Sequence, residues 1–175
     1  MSAAELSIRA ARVADAAEIA ALHVLVSQLT YRDLAPPETI QRLNLAHRLA
    51  RWTELIETNE RVARVAELGG KIVGIGTAGA ATVPELEGHG EILHLYVDPT
   101  QIRAGIGRKL MHRLALALQA EGYKSVALGV VEGNWAAIEF YKALGGRLSG
   151  SYIDPGPLWR SRNQIIIWDD LQVLL

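Results

Sequence analysis

The sequence predicts an α+β fold, an α/β sandwich with a mixed, mostly antiparallel central sheet of about seven strands and helices on both faces. Three observations predict it. Two helical stretches precede three consecutive strand-like segments; strand and helix then alternate; and two further strand-like segments close the chain. The segment EILHLYV (91–97) is apolar on both faces, as a strand in the middle of a covered sheet would be. The chain has 175 residues, half of them hydrophobic, which suits one domain over 1–175 with one sizeable core.

The elements follow in order. LSIRAAR (6–12) alternates in part and reads as a short strand. Over 14–33, Ile19, Leu22, His23, Val26 and Leu29 recur at helical spacing, with Asp15 near the positive end. Pro36 and Pro37 break that helix, and Pro37 suits the first turn of the next. Ile40, Leu43, Leu49, Trp52 and Ile56 predict one amphipathic helix over 38–57. VARVAEL (62–68) and KIVGIGTAGA (71–80) read as strands joined by a tight turn at Gly69-Gly70. A polar loop leads to the 91–97 strand, which Asp98-Pro99 ends. Ile106, Leu110, Leu114, Ala117 and Leu118 mark a helix over 105–121, stopped by Gly122. SVALGVV (125–131) is a buried strand, Asn134 caps a helix ending near Gly145-Gly146, and 147–153 and 163–168 are the closing strands. The apolar tail 163–175 offers a closing strand or a partner surface.

Composition removes several classes of function. The formal net charge of −1 argues against nucleic acid or an anionic membrane as the main partner. The chain has no cysteine, so disulfides, thiolate metal sites and cysteine nucleophiles are excluded. Its five histidines show no ligand spacing, so no metal is expected. The N-terminus does not read as a signal peptide, and no apolar run is expected to approach a membrane span of ~18 residues. A soluble cytoplasmic protein follows as the expectation.

The most informative segment is LYVDPTQIRAGIGRKLM (95–111). A buried strand runs into a loop with two glycines, Gly105 and Gly107, and a helix starts at once. Free N–H groups and the dipole at a helix N-terminus favour an anion, glycines allow close approach, and Arg103 and Arg108 flank the site. Equally, a glycine pair can simply start a helix packed tightly on a sheet. The dinucleotide fingerprint fails because Leu110 takes its third glycine position, and the lysine–Ser/Thr pair of a P-loop is absent.

This arrangement, from Val97-Asp98-Pro99 through Gly105-Ile106-Gly107, resembles motif A of the GNAT superfamily of acetyl-CoA-dependent N-acetyltransferases. The resemblance implies that Arg103, Ala104, Gly105, Ile106, Gly107 and Arg108 hold the pyrophosphate of coenzyme A, largely through backbone amides. It also implies that Leu95, Tyr96 and Val97 contact the pantetheine arm. Ile102 departs from the Gln or Arg common three residues before the first glycine. VVEGNWAAIEFYKALGG (130–146) resembles motif B, with Asn134, Ala137, Phe140, Tyr141 and Gly145 in register and Gly146 in place of the usual aromatic residue. TYRDLAPPETIQRL followed by Arg-Trp is similar to a subset of the family. The likeness covers roughly 6–168 and is specific over 91–146.

The resemblance implies chemistry as well as fold. Aminolysis of a thioester needs a neutral amine, a polarised carbonyl and a protonated leaving thiolate. Tyr141 takes the role of acid and also of a cofactor contact, with Asn134 beside it. Glu91 occupies the position of a base, acting directly or through water, or else is a solvated strand-end carboxylate. The Val97 amide is the implied oxyanion donor. Strand alternation puts Glu91 in phase with Leu93, Leu95 and Val97 and turns His94, read as structural, to the other side. No Ser/His/Asp or cysteine nucleophile is visible, which favours direct attack in a ternary complex. The acceptor is a small-molecule amine or a peptide/protein amine, and two copies are expected to pair through edge strands. The alternative is a catalytically silent acyl-CoA-binding regulatory module.

Overall fold

In a computed structural model, which describes residues 5–175, seven strands form one sheet in the order β1-β2-β3-β4-β5-β7-β6. The first four residues of the expected 1–175 span lie outside the described residues. The strands are β1 (Leu6–Ala10), β2 (Val62–Leu68), β3 (Lys71–Gly79), β4 (Gly90–Val97), β5 (Val126–Val131), β6 (Arg147–Ile153) and β7 (Arg162–Trp168). Every neighbouring pair is antiparallel except β4 and β5, so the sheet is mixed and mostly antiparallel, as predicted. The first part of the tail enters the sheet as β7, between β5 and β6, which leaves β6 as the edge strand; Leu171–Leu174 form a short helical turn.

Five helices cover the two faces: α1 (Ala16–Tyr31), α2 (Pro37–Arg42), α3 (Leu45–Glu57), α4 (Ile106–Ala120) and α5 (Trp135–Ala143). On one face, Ile19 and Leu22 of α1 and Trp52 and Leu55 of α3 pack on Val65 and Ile75. On the other, Leu110 and Leu114 of α4 and Ile138 of α5 pack on the sheet. A buried charge joins β1 to the start of α1. Asp15 accepts the Arg12 N–H at 2.7 Å and pairs with Arg9 at 2.7 Å.

Two expectations need correction. The single helix expected over 38–57 is two helices, because Asn44 leaves the helical path and its side chain accepts the His47 N–H at 3.0 Å, capping α3. Asparagine offers the backbone this local alternative to helix, and apolar periodicity alone does not register it. In addition, Val13–Tyr31 reaches the length and composition of a membrane-crossing helix, contrary to the expectation that no run approaches it. Its Ile19, Ala20 and Leu22 are spent on the sheet.

The irregularity that matters most lies in β4. His94 pairs with Thr77 and Ile92 with Ala78, so one step along β3 spans two along β4, and Leu93 is the extra residue of a β-bulge. The bulge reverses the alternation of the strand. Ile92, Leu95 and Val97 face α4, while Glu91, His94 and Tyr96 face the α1 and α3 side. Glu91 therefore does not run in phase with Leu95 and Val97, and it shares its face with His94.

Candidate active site

β4 and β5 start side by side and then part. They pair at Gly90–Val126 and Glu91–Ala127 and nowhere beyond. The Asp98 N–H donates to the Val73 carbonyl at 2.8 Å, which marks 98–73 as a hydrogen-bonded pair. Alternation along that register sends the N–H groups of His94 and Tyr96 to β3 and those of Leu95 and Val97 the other way. Those two amides point into the gap that the departing β5 leaves open. A cavity of about 180 Å³ fills the gap, lined by Leu95, Val97, Gly129, Asn134 and Tyr141 among others.

At one end of the gap is Val97, from which the chain runs through Asp98–Gly105 into α4. Gly105 has φ 76°, a left-handed conformation that β-carbon-bearing residues resist, and no atom lies within 4 Å of where its β-carbon would be. Arg103 also has a positive φ, of 65°. Arg103, Ala104, Gly105 and Arg108 are exposed, whereas the Ile106 side chain is buried in the core, so toward a ligand Ile106 offers only its backbone. The first-turn N–H groups of α4 are the orphan donors of any helix start. Gly107 is a glycine for a further reason: a β-carbon there would lie 3.0 Å from the Phe140 ring. The absence of a side chain lets α4 and α5 close on each other.

On α5, the Asn134 side chain accepts the Ala137 N–H at 3.4 Å as a helix cap and also lines the gap. Tyr141 is buried, with its ring edge-on to Phe140 and Trp168. Burial raises the pKa of its phenol above the ordinary value, and nearby Tyr96 adds to the rise. Gly146, where an aromatic residue is usual in motif B, has its space taken: a β-carbon would lie 2.8 Å from the Trp168 indole. The aromatic bulk comes from β7, held by a Trp168 Nε1–H bond to the Leu144 carbonyl at 3.0 Å.

The other end of the gap opens into a larger cavity of about 310 Å³ on the α1 and α3 side. The two cavities share Tyr31, Leu93, Tyr96 and Gly129. Glu91 lines the larger one but is no solvated strand end, being 1% exposed. Its Oε2 accepts the Thr82 N–H at 2.6 Å, its Oε1 accepts the Thr82 hydroxyl at 3.0 Å, and Arg61 lies 3.9 Å away. Arg61 in turn donates to the carbonyls of Ala80 and Glu91, each at 2.9 Å. An aromatic cluster forms another part of the same wall, with His23, His94 and Tyr96 in the cavity lining. The Trp52 Nε1–H donates to His23 Nδ1 at 3.0 Å, and His23 stacks on Tyr96 with ring centroids 4.3 Å apart. His94 shares a hydrogen bond of 2.8 Å with the Thr77 hydroxyl. Burial is the main cause that pushes His94 down to about 3 and His23 well below the ordinary imidazole value, so both are neutral near pH 7.

The structure thus brings Leu95, Tyr96, Val97, Asn134 and Tyr141 together at one gap, with Glu91 in the adjoining cavity; Arg103–Gly105 and the first α4 turn, Ile106–Arg108, lie outside the lining of both. Sequence reading missed the rest of that cavity: Tyr31 and Arg48 from the first helices, and Tyr152, Asp154, Trp159 and Asn163 from the C-terminal segments. Asn163 donates to the Tyr152 hydroxyl at 3.2 Å and accepts from Ser161 at 2.9 Å. The one signal available was the density of aromatic and polar residues in the 152–163 loop.

A protein-family model described as "Acetyltransferase (GNAT) family" matches residues 27–145. The chain is similar to the uncharacterised N-acetyltransferase YuaI of Bacillus subtilis (strain 168), with 29% identity over 139 residues, 79% of this chain and 78% of the relative. It resembles in fold the PaiA N-acetyltransferase of Thermoplasma acidophilum, solved with coenzyme A (TM-score 0.73, 15% identity, 93% of this chain and 98% of that one). A similar likeness holds to YncA of Salmonella typhimurium, solved with acetyl-CoA (TM-score 0.70, 22% identity, 95% of this chain and 94% of that one).

Proposed function

The chain belongs to the acetyltransferase (GNAT) family, and from that premise we propose that it binds acetyl-CoA along the β4–β5 gap and transfers the acetyl group to an amine by direct attack in a ternary complex. The observation that carries this reading is the free backbone edge of β4. The Leu95 and Val97 amides point into a gap that joins the Glu91 cavity through shared lining residues, and from Val97 the chain runs on into the loop that starts α4. These groups fit the cosubstrate: extended amides suit its pantetheine arm, and the glycine-opened helix start suits its pyrophosphate. When bound, acetyl-CoA would supply an activated acyl carbon and a thiolate leaving group.

The chain's own residues then divide the work. The Val97 N–H, aimed into the gap, stabilises the oxygen of the attacked carbonyl; one such donor is worth roughly 2.7–4 kcal/mol. The Tyr141 phenol, kept protonated by its burial, acts as donor to the sulfur as the C–S bond breaks. Glu91 is fixed on both oxygens by Thr82, so it receives the ammonium proton through a water in the cavity rather than by direct contact.

Acetyl-CoA is expected to raise the Tm, since a ligand bound only to the native state stabilises it. Tyr141→Phe should keep that shift and lower kcat by about 100- to 10,000-fold, read as free-thiol release over a panel of amines. No Tm shift at millimolar acetyl-CoA would overturn the reading.

A further inference from the structure

One charged group in the larger cavity is out of place for the protein's own needs. Arg48 lies in the first turn of α3, the end where the helix dipole disfavours a cation. Its Nε is sealed from solvent without a hydrogen-bond partner. Among the described residues no carboxylate lies near enough to offset its partial desolvation; the neighbouring groups are the hydroxyls of Tyr31 and Tyr96. Arg48 is half-buried, and a guanidinium partly withdrawn from water without an opposite charge costs stability, whereas other arginines here are paired, such as Arg9 with Asp15 and Arg51 with Glu60. Arg48 lines the cavity on the α3 side, and its neighbours Tyr31 and Tyr96 are two of the four residues through which the cavity meets the β4–β5 gap. The same cavity also carries two carboxylates, Glu91 and Asp154. Asp154 is fixed by the Gly156 N–H at 2.8 Å.

A cavity with an unpaired guanidinium on one wall and carboxylates on others complements a ligand that carries both charges. Resting on the acetyl-transfer reading above, we propose that the acceptor is a free amino acid, whose carboxylate pairs with the Arg48 guanidinium while its amine faces the β4–β5 gap. The planar fork of arginine matches a carboxylate with two parallel N–H bonds. The N-terminus of a peptide or protein has an amide in place of that carboxylate and would leave Arg48 unpaired. A polyamine would put a second cation against it.

The test compares free amino acids with their own carboxamides, together with polyamines and a short peptide, as acceptors of acetyl from acetyl-CoA. The expected result is a kcat/KM for at least one free acid above that of its carboxamide by roughly 10- to 100-fold, the worth of one charge-assisted contact. Arg48→Gln should erase that ratio by raising KM for the acid, with the acetyl-CoA-induced Tm shift intact. Arg48→Lys should recover part of it, because it returns the charge without the fork. The unliganded Arg48→Gln protein should melt no lower than wild type, whereas an arginine kept for structure would lose stability on removal. Carboxamides, polyamines or the peptide turned over as well as the acids, no free amino acid turned over, or an acid-to-amide ratio unchanged in Arg48→Gln would each overturn the proposal and leave acetyl transfer standing. A wild-type protein with no Tm shift on acetyl-CoA overturns both.

Discussion

The two cavities that meet at β4 are built in opposite ways. The proposed cradle side is a backbone device: strand amides, a loop and a helix start, contributed by 95–108, with Phe140 of α5 against Gly107. The proposed acceptor side is a side-chain device, assembled from α1, α3, β4, β5, β6 and the loop before β7. Backbone amides are supplied by any residue except proline, so the cradle depends on chain path and on a few glycines. The acceptor cavity depends on the identity of side chains far apart in sequence. The first kind of site tolerates much substitution and selects little; the second can select, and a single residue can change what it accepts.

The sharpest way to break this contrast is at Gly107. Gly107→Glu sets bulk against Phe140 and a negative charge at the start of α4. Acetyl-CoA binding by titration calorimetry should fall below detection. A double variant with Phe140→Leu gives the α4–α5 contact room and should recover Tm without recovering binding. Unchanged acetyl-CoA affinity in either variant would mean that the anion cradle lies elsewhere on the chain.

The difference between the two sites also explains what could be read from sequence. Val97-Asp98-Pro99 through Gly107 lies in one contiguous segment, where glycine spacing speaks directly about backbone conformation, and Gly105 does adopt the left-handed region. Asn134 shows the same kind of legibility, since a cap is a local event. The phase of Glu91 was not legible. A β-bulge is set by the pairing of two strands, and EILHLYV looks regular until it is registered against β3. Nor could Arg48 be told from Arg51, the other arginine of α3, because its setting depends on Tyr31 and Tyr96, which come from other elements. The split at Asn44 falls between these cases: the residue was visible, but the apolar period ran through it.

On the acceptor side, Glu91→Gln probes the fixed carboxylate. It keeps the shape but removes the proton acceptor, and it turns an amide NH₂ or carbonyl toward Thr82 and Arg61. The kcat/KM should fall by about 100-fold or more, most severely at low pH where little free amine exists. Acetyl-CoA affinity should hardly change, because Glu91 sits in the cavity beyond the gap. A variant with normal kcat at pH 7 would show that the amine arrives already deprotonated and that Glu91 serves to hold Thr82 and Arg61 in place.

The smallest expected effect separates the two sides by stability rather than by turnover. His23 and His94 form part of the wall of the larger cavity, packed with Trp52 and Tyr96, and burial keeps both neutral. An unfolded histidine takes up a proton below about pH 6.5, whereas folded His94 does so only near 3. Between those values the unfolded chain binds more protons, so stability is fully present above about pH 6.5 and is lost as the pH falls toward 3. For one such histidine the loss by pH 5 is on the order of 1–2 kcal/mol, or a few degrees of Tm in a chain of this size. His94→Gln, which keeps a hydrogen-bonding group beside Thr77, should flatten the acid limb of Tm against pH and leave the limb above pH 7 unchanged. The cradle has no buried histidine, so the acetyl-CoA-induced Tm shift should be the same in the variant and wild type at pH 7.5. A Tm that stays level from pH 8 to 5 in wild type, or an acid limb equally steep in His94→Gln, would mean that this histidine is protonated within the fold and that the wall behind the acceptor is open to water.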